Sequence, residues 1–343
     1  MKAIGLRKYL PVDNEDCLVD VEVNKPVAEG LDLLVRVRAV SVNPVDTKVR
    51  SLGEGTEDPP RILGWDASGE VVAVGSACSR YSVGDEVFYA GSMTRPGSNS
   101  EYQLVDERIV GARPKSLTHE QSAALPLTSL TAWESLFERM NLTPEPSAGN
   151  AGARLLIIAG AGGVGSIATQ LAKRVAAVGT VITTASRPET RDWCLKMGAD
   201  SVIDHSRPLR DQLEALDLAH VDYILCCSQP DGYFAQMADL IAPQGSICSI
   251  VKSAGDAPLP MNDLMAKSVR YCWEYMFTRS MFQTDDMDAQ GGILDRISHL
   301  VDNRTISTTM TENLGPMTAR NVIEGHRRLE EGRVIGKLVL SGI

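Results

Sequence analysis

One stretch of the sequence constrains the fold more than any other: LLIIAGAGGVGSIATQLAK, at residues 155–173. A short apolar run ends at a glycine-rich turn, and an amphipathic pattern typical of a helix follows at once. Gly160, Gly162 and Gly165 have the spacing G-x-G-x-x-G. The first glycine permits a tight turn, the second lets a diphosphate approach the backbone, and the third lets helix and strand pack closely. The segment therefore predicts a dinucleotide-binding turn.

The helix after this turn would contribute to binding. Its first residues, Gly163 to Gly165, would have N–H groups without intrahelical partners, and these N–H groups favour an anion such as a diphosphate. A glycine-rich turn without a ligand is the alternative, but the strand and helix on either side favour nucleotide binding. We therefore predict that the cofactor contacts Gly160, Gly162, Gly163, Val164 and Gly165.

The two halves of the chain follow different patterns. Up to about residue 110, short β-rich runs alternate with Gly, Pro and Asp turns, which predicts a largely antiparallel β domain. From Arg154 onward, short apolar runs alternate with amphipathic stretches, which predicts a parallel sheet covered by helices. The fold class is therefore α/β, with a β-rich domain at 1–126, completed by 283–343, and a doubly wound domain at 127–282.

Two segments join these halves. The pattern predicts a helical stretch from about Thr118 to Met140. The segment TPEPSAGNAGA, at residues 143–153, is rich in Pro, Gly and Ala, and this composition predicts a surface connection.

Composition narrows the classes of partner. The 343 residues carry a net charge of −10, which argues against nucleic acid or an anionic membrane as the main partner. No run approaches the roughly 20 apolar residues of a membrane span, and Met1 to Leu10 lacks the apolar stretch of a signal peptide. Seven cysteines without a C-x-x-C pair are typical of reduced thiols, so we expect a cytoplasmic protein.

The segment after the second predicted strand of the α/β domain favours NADPH. An NAD site would place an acid there for the ribose diol, but residues 175–188 contain none. Ser186 and Arg187 instead offer a hydroxyl and a guanidinium suited to a 2′-phosphate. Alternatively, Ser186 and Glu189 form a capping box and leave Arg187 in solvent; both interpretations can hold together. His205, at the end of the next predicted strand, is a further candidate for the phosphate pocket.

Several motifs together resemble one known superfamily. NPVDTKVR, ILGWDASGEVVAVG, ALPLTSLTAWESL, AGAGGVGSIATQLAK, KMGADSVIDH and GKLVL occur in this order. The chain resembles the medium-chain dehydrogenase/reductase superfamily over essentially its whole length, and most closely its quinone oxidoreductase branch and the group often labelled zinc-type alcohol dehydrogenase-like. The resemblance implies a GroES-like β domain and a Rossmann domain, and it places Thr131 and Ser253 beside the cofactor. Ala153 departs from the branch's signature, which usually has a polar or charged residue there.

The same resemblance bears on metal binding. Zinc-dependent members of the superfamily carry a His-Glu pair where this chain has Trp65 and Asp66, and a Cys where it has Asn43. An indole cannot coordinate zinc and an amide is a poor ligand, whereas a catalytic zinc needs three good donors. The four-cysteine cluster of the structural zinc lobe is also absent from the sequence. We therefore predict no bound metal.

Without a Lewis acid, alcohol oxidation is disfavoured, because an alkoxide is hard to stabilise. The resemblance implies instead that NADPH delivers a hydride to a small electrophilic acceptor, a quinone or an α,β-unsaturated carbonyl. We expect a quinone reductase first and an enoyl or enone reductase second. A non-catalytic NADPH-binding structural or sensor protein is the alternative from another class.

The segment NPVDTKVR, at residues 43–50, supplies the catalytic candidates Asn43, Asp46 and Lys48. By resemblance, Asn43 lies near the nicotinamide and the substrate oxygen, and Lys48 stands where related quinone reductases often carry Tyr. An ammonium there could polarise an acceptor oxygen or donate a proton. The alternative is structural: a helical ion pair between Asp46 and Arg50, with Lys48 in solvent.

The segment SVRYCWEYMF, at residues 268–277, is rich in β-forming residues and ends the predicted parallel sheet. In relatives this edge pairs with its copy across a two-fold axis, which also covers an edge prone to aggregation. We therefore expect a homodimer.

Overall fold

The computed structural model describes residues 1–145, 149–255 and 259–343. Within them, the chain divides into two compact units. The first unit comprises Met1–Leu130 and Phe277–Ile343, and the second comprises Thr131–Met276. Residues 146–148 of the predicted surface connection lie outside the described residues.

Strands and helices of the described residues have the following bounds. The strands are β1 (Lys2–Lys8), β2 (Val19–Glu22), β3 (Asp32–Ser41), β4 (Thr56–Ile62), β5 (Asp66–Val74), β6 (Glu86–Tyr89), β7 (Tyr102–Asp106), β8 (Val110–Ala112), β9 (Arg154–Ile158), β10 (Thr180–Thr184), β11 (Ser201–Ile203), β12 (Val221–Cys226), β13 (Ile241–Ser249), β14 (Arg270–Trp273), β15 (Met310–Pro316) and β16 (Lys337–Ser341). The α-helices are α1 (Pro44–Leu52), α2 (His119–Ala123), α3 (Pro126–Trp133), α4 (Gly163–Arg174), α5 (Pro188–Met197), α6 (Leu209–Glu214), α7 (Phe234–Leu240), α8 (Thr278–Phe282), α9 (Ala289–Asp302) and α10 (Ala319–Glu330). A π-helix spans Glu134–Arg139. In the part of the chain that the structure describes, no helix has both the length and the apolar character needed to cross a membrane.

Two sheets form the first unit. One has the strand order β2-β1-β4, and the other has the order β15-β16-β3-β5-β6-β8, with β7 also paired to β3. The pairs are antiparallel except for β15 with β16. Strand β4 carries Pro59 and Pro60 and pairs with β1 alone. An edge position accommodates these prolines, because a proline cannot donate a hydrogen bond to a second neighbour.

The second unit contains a six-stranded parallel sheet with the order β11-β10-β9-β12-β13-β14. This order reverses beside β9, as in doubly wound nucleotide-binding folds. Leu155 to Ile158 of β9 are completely buried, which explains the unbroken apolar run in the sequence. The observed architecture confirms the predicted α/β fold class.

The stretch predicted to be helical, Thr118 to Met140, forms two helical segments: α2, and α3 continuing directly into the π-helix. Pro126 begins α3, where its missing N–H costs nothing because first-turn N–H groups have no intrahelical partner. In the π-helix, the Met140 N–H donates to the Ser135 carbonyl at 3.0 Å, five residues earlier. The spacing of apolar residues along the sequence does not distinguish such a wide turn from an α-helix.

Candidate functional site

The second unit contains the predicted glycine turn between β9 and α4. Ala159 follows β9 with a φ of 63°, in the left-handed region, and its N–H donates to the Thr184 hydroxyl at 2.9 Å. Gly162 is the N-cap of α4, and Gly163 is its first residue. The chain therefore turns sharply from the end of a central strand into a twelve-residue helix.

The three motif glycines have different surroundings. A Cβ at Gly160 would lie 2.5 Å from the Thr183 Cβ, and one at Gly165 would lie 2.6 Å from the Ala159 carbonyl oxygen. These two glycines are therefore needed for packing within the protein. A Cβ at Gly162 would have the Ala159 oxygen as its nearest neighbour, at 3.6 Å, an ordinary van der Waals distance, so packing within the protein does not require a glycine here. The backbone at Gly162, next to the unpaired N–H groups of the first turn, fits a diphosphate.

The predicted phosphate-binding pair lies just beyond β10. Ser186 is exposed, and Arg187 is the N-cap of α5. The Arg187 N–H donates to the Thr190 hydroxyl at 3.2 Å, and that hydroxyl donates to the Arg187 carbonyl at 2.7 Å. The alternative capping box of Ser186 and Glu189 is therefore wrong, because the helix begins one residue later. The Arg187 guanidinium lies 3.4 Å from the Glu189 carboxylate in an exposed pair, and such pairs contribute little to stability.

Three other predicted cofactor residues lie elsewhere in the chain. His205 is half-buried, two residues beyond β11. The Ser253 hydroxyl donates to the Asp231 carboxylate, which also accepts the Ala254 N–H at 3.0 Å. Thr131 is buried in α3. The cofactor roles of these residues stay predictions.

The first unit contains a buried polar cluster, which we define as Ser41, Asn43, Asp46, Asp66 and Lys337; each is at most 4% exposed. Asn43 is the N-cap of α1, Pro44 is its first residue, and the Asp46 carboxylate accepts the Asn43 N–H at 2.6 Å. The sequence N-P-x-D thus folds as a helix start, since asparagine suits the cap, proline the first position and an acid the first turn.

The sequence analysis missed Ser41 and the cation of the cluster, Lys337. Its ammonium donates to the Val42 carbonyl at 2.9 Å, to the Asn43 side-chain oxygen, and to the Asp66 carboxylate at 3.1 Å. An ammonium has three N–H donors, so these contacts satisfy it completely. The signal was present in the sequence, because a lysine beginning the apolar run KLVLSGI must find partners if that strand is buried.

The Asp66 carboxylate is also fully paired. Besides Lys337, its Oδ2 accepts the Ser41 hydroxyl at 2.7 Å and the Asn43 amide N–H at 2.8 Å. Its Oδ1 accepts the Leu127 N–H at 2.8 Å. Asp66 therefore acts as a buried anion that orients the cluster, and its lone pairs are already used.

The Asn43 amide is held from both ends. Its oxygen accepts from Lys337, while its nitrogen donates to Asp66 and, at 3.4 Å, to the Ser41 carbonyl. The bond to the Ser41 carbonyl is the longest of these contacts and therefore the weakest. It is the one that a substrate oxygen could replace, and the nearby ammonium would strengthen the amide as a donor.

Asp46 is the titratable member of the cluster. Burial raises the pKa of its carboxyl from 3.8 to about 7, against the lowering effects of the Asn43 N–H and the Lys337 charge. Its Oδ2 accepts the Asn43 N–H, whereas its Oδ1 is buried without a hydrogen bond. A carboxyl in this environment can hold a proton near neutral pH.

The alternative ion pair between Asp46 and Arg50 is wrong. Arg50 is completely buried and donates instead to the Leu10 carbonyl, to the Glu330 carboxylate and to the His326 Nδ1 at 3.3 Å. Lys48 lies on the exposed face of α1. Arg50 therefore joins α1 to α10 and to the N-terminal segment.

The cluster does not fit a metal ion. The Trp65 indole N–H donates to the Ser92 carbonyl at 3.1 Å, and both oxygens of Asp66 already accept hydrogen bonds. Among the described residues, no group of three or more His, Cys, Asp or Glu side chains is placed to hold a metal. The positive charge at this position comes from Lys337.

Family models and relatives agree with this architecture. Residues 29–115 match the alcohol dehydrogenase GroES-like domain, and residues 163–289 match the zinc-binding dehydrogenase family. The zinc-type alcohol dehydrogenase-like protein SAS2087 of Staphylococcus aureus (strain MSSA476) is 43% identical over 99% of this chain and 100% of its own. This chain belongs to the medium-chain dehydrogenase/reductase superfamily. It is accordingly an oxidoreductase.

Other members of the superfamily are similar over the same length. A protein of Rhizobium etli CFN 42, provisionally named a zinc-dependent alcohol dehydrogenase, is 46% identical with a TM-score of 0.94, covering 100% of this chain and 98% of its own. The quinone oxidoreductase of Coxiella burnetii is 28% identical with a TM-score of 0.79, covering 99% of this chain and 98% of its own. The 2-methylene-furan-3-one reductase of Solanum lycopersicum is 28% identical, covering 100% of this chain and 79% of its own.

Replacing Asp46 by Asn should change the pH dependence of stability. Because the folded-state pKa is about 7 and the ordinary value is 3.8, the folded wild type keeps a proton that the unfolded chain releases across this range. Wild-type stability therefore falls as pH rises from about 4 to about 7, and the Asp46→Asn variant should escape this loss. Its unfolding free energy relative to wild type should increase by about 2–4 kcal/mol between pH 4 and pH 8.

Urea unfolding at several pH values measures this difference. Asp192→Asn, on the exposed surface of α5, is the matched control and should show no such trend. An equal pH trend in both variants would show that the Asp46 carboxyl titrates normally.

Proposed function

We propose that this superfamily member is an NADPH-dependent reductase that transfers a hydride to quinones or related electrophilic carbonyl compounds without a metal. The observation that carries the proposal is the buried polar cluster, in which Lys337 and Asp66 fix the Asn43 amide. Within the described ranges, no set of three His, Cys, Asp or Glu side chains is placed there to hold a metal. The name of the quinone oxidoreductase from Coxiella burnetii, 28% identical to this chain, supports the choice of acceptor.

Cofactor binding would use the second unit. The backbone at Gly162 and the first-turn N–H groups of α4 would hold the diphosphate, and Ser186 with Arg187 would hold the 2′-phosphate. When bound, reduced NADPH supplies the hydride. His205, Thr131 and Ser253 remain proposed contacts to this cofactor.

Acceptor activation would use the first unit. Asn43 would donate its amide N–H to the acceptor oxygen in place of the long bond to the Ser41 carbonyl, and Lys337 would polarise that amide. Reduction of a quinone to a hydroquinone consumes one hydride and one proton if both oxygens end protonated, or the hydride alone if one oxygen remains ionised. Asp46 can hold one proton near neutral pH, and the exposed Lys48 ammonium is a second proposed donor.

An enone is the second candidate acceptor. The tomato relative, 28% identical, is named 2-methylene-furan-3-one reductase, a name that describes reduction of a conjugated carbonyl compound. Hydride transfer to the β-carbon of an enone leaves an enolate, whose oxygen needs the same hydrogen-bond donor as a quinone oxygen. The buried polar cluster is compatible with both acceptors.

Turnover tests the proposal directly. We expect the chelator-treated protein to oxidise NADPH with an ortho-quinone, and Lys337→Met to lower kcat/KM by about tenfold or more with the KM for NADPH little changed. Lys267→Met is the matched control, because the Lys267 ammonium also donates to three oxygens, the carbonyls of Ala238, Asp239 and Ile241, but lies in the other unit. Tight NADPH binding without turnover of quinones or enones would instead favour a non-catalytic protein.

The cofactor preference depends on Arg187. The Arg187→Ala variant should lose about tenfold or more of the preference for NADPH over NADH, since a bidentate contact to the 2′-phosphate is removed. The comparison of kcat/KM for the two cofactors measures the preference. Glu189→Ala, which removes only the exposed partner of Arg187, is the control and should retain it. An unchanged preference in Arg187→Ala would place the 2′-phosphate elsewhere.

We also propose that the protein forms a homodimer through β14. This strand is the edge of the parallel sheet, and two rings are exposed, Trp273 at its end and Tyr275 two residues further on. Pairing with a second copy would satisfy the edge N–H and C=O groups and cover these rings. Light scattering at micromolar concentration should give the mass of a dimer for wild type and of a monomer for Trp273→Lys. A monomeric wild type would contradict the proposal.

A further inference from the structure

Two thiols lie side by side where the parallel sheet of the second unit ends. Cys248 of β13 and Cys272 of β14 are register partners in adjacent parallel strands. Neighbouring strands lie about 4.8 Å apart, which is within the Cα separation that a disulfide can bridge, about 4.4–6.8 Å. Both cysteines are free in the structure, and each thiol shifts the pKa of the other.

Both thiols lie under the π-helix Glu134–Arg139. The Cys272 thiol contacts the Ile247 carbonyl at 3.3 Å and the Arg139 carbonyl at 3.8 Å. Residues that pair in register on adjacent strands, such as Cys248 and Cys272, project to the same side of a sheet. The two side chains therefore share one face of the sheet. A single π-helical turn is uncommon and is found often at functional sites.

The two thiols have different reactivity. The thiol of Cys248 and the nearby Arg139 and Arg270 charges lower the pKa of Cys272, although burial opposes them. The contact with Cys272 and burial raise the pKa of Cys248. Cys272 is half-buried and Cys248 is completely buried. Cys272 thus has the features of an attacking thiolate, and Cys248 those of a protected partner.

The other cysteines lack these features. In each of them the pKa is raised, with burial as the largest cause: Cys17, Cys78, Cys194, Cys226 and Cys227. A thiol with a raised pKa forms little thiolate at neutral pH and reacts slowly with oxidants. Oxidation should therefore begin at Cys272.

We propose that Cys272 and Cys248 are a redox-modification site, which a hydroperoxide converts into a reversible disulfide between β13 and β14. The Cys272 thiolate attacks the peroxide oxygen, the O–O bond breaks, and with one proton taken up the products are a sulfenic acid and water or an alcohol. The Cys248 sulfur then attacks the Cys272 sulfur, the S–O bond breaks, and the hydroxide leaves as water with the Cys248 proton. The protein loses two electrons and the peroxide gains them.

The site is independent of the proposed reductase activity, because it rests on the strand register and on the neighbours of the two thiols. The disulfide would join the last two strands of the sheet and replace the hydrogen bonds of Cys272 to the Ile247 and Arg139 carbonyls. Arg139 also lies 2.7 Å from the buried Glu274 carboxylate, just beyond β14. Oxidation would therefore alter the packing of the π-helix on this edge.

Graded hydrogen peroxide treatment of the reduced full-length protein tests the proposal. Intact mass should fall by two hydrogen atoms, peptide mapping should link Cys248 to Cys272, and dithiothreitol should restore both thiols. The Cys248→Ser variant should stop at a Cys272 sulfenic acid that dimedone traps, and Cys272→Ser should leave Cys248 reduced. Cys226→Ser, which removes a buried cysteine of the neighbouring β12, should still form the disulfide.

Two results would overturn the proposal. One is recovery of both cysteines as free thiols at peroxide levels that already oxidise methionine residues. The other is a disulfide that links Cys272 to a cysteine other than Cys248, whether in the same chain or in a second copy. In the Cys248→Ser variant, dimedone labels any sulfenic acid that forms at Cys272. This labelling distinguishes a failure of Cys272 to react from a failure of the two cysteines to form the disulfide.

Discussion

The buried ammonium of Lys337 is the interaction on which the first unit depends. It joins β16 to the residues before α1 and to the start of β5, across 295 and 271 positions of the sequence. A buried charge is strongly destabilising unless it is paired, so β16 must dock where Val42, Asn43 and Asp66 provide acceptors. Moving the strand by one residue would turn Lys337 to the other face of the sheet. The cluster therefore fixes the strand register together with the apolar core.

The sequence could predict the parts of the site that depend on local geometry. The glycine turn was predicted because the G-x-G-x-x-G spacing depends on short-range sterics. In the structure a Cβ at Gly160 or Gly165 would clash with neighbouring atoms, whereas one at Gly162 would not. The start of α1 at Asn43 also follows from its own residues. Here the chain has one favourable local arrangement, and tertiary packing does not compete with it.

Long-range partners were not predictable in the same way. Arg50 has the i,i+4 spacing for Asp46, yet it donates to Glu330, because α10 brings that carboxylate to the same buried face. The N-cap of α5 is Arg187, one residue after the predicted Ser186, because the Thr190 hydroxyl competes with Glu189 as the local acceptor of the cap N–H. Lys337 was missed since its acceptors lie in segments remote from it in sequence. In each case the local pattern gave several acceptable partners and the fold selected one.

The charge balance of the buried polar cluster explains why one of its carboxyl groups keeps a proton. One ammonium, Lys337, faces two carboxylates, Asp46 and Asp66, so the ionised cluster would carry one negative charge in a buried environment. Asp66 accepts four hydrogen bonds and is well stabilised as an anion, whereas Asp46 accepts one and has a bare oxygen. The proton therefore goes to Asp46, whose pKa burial raises to about 7. The same residues that hold Asn43 in place thus keep a proton beside it near neutral pH.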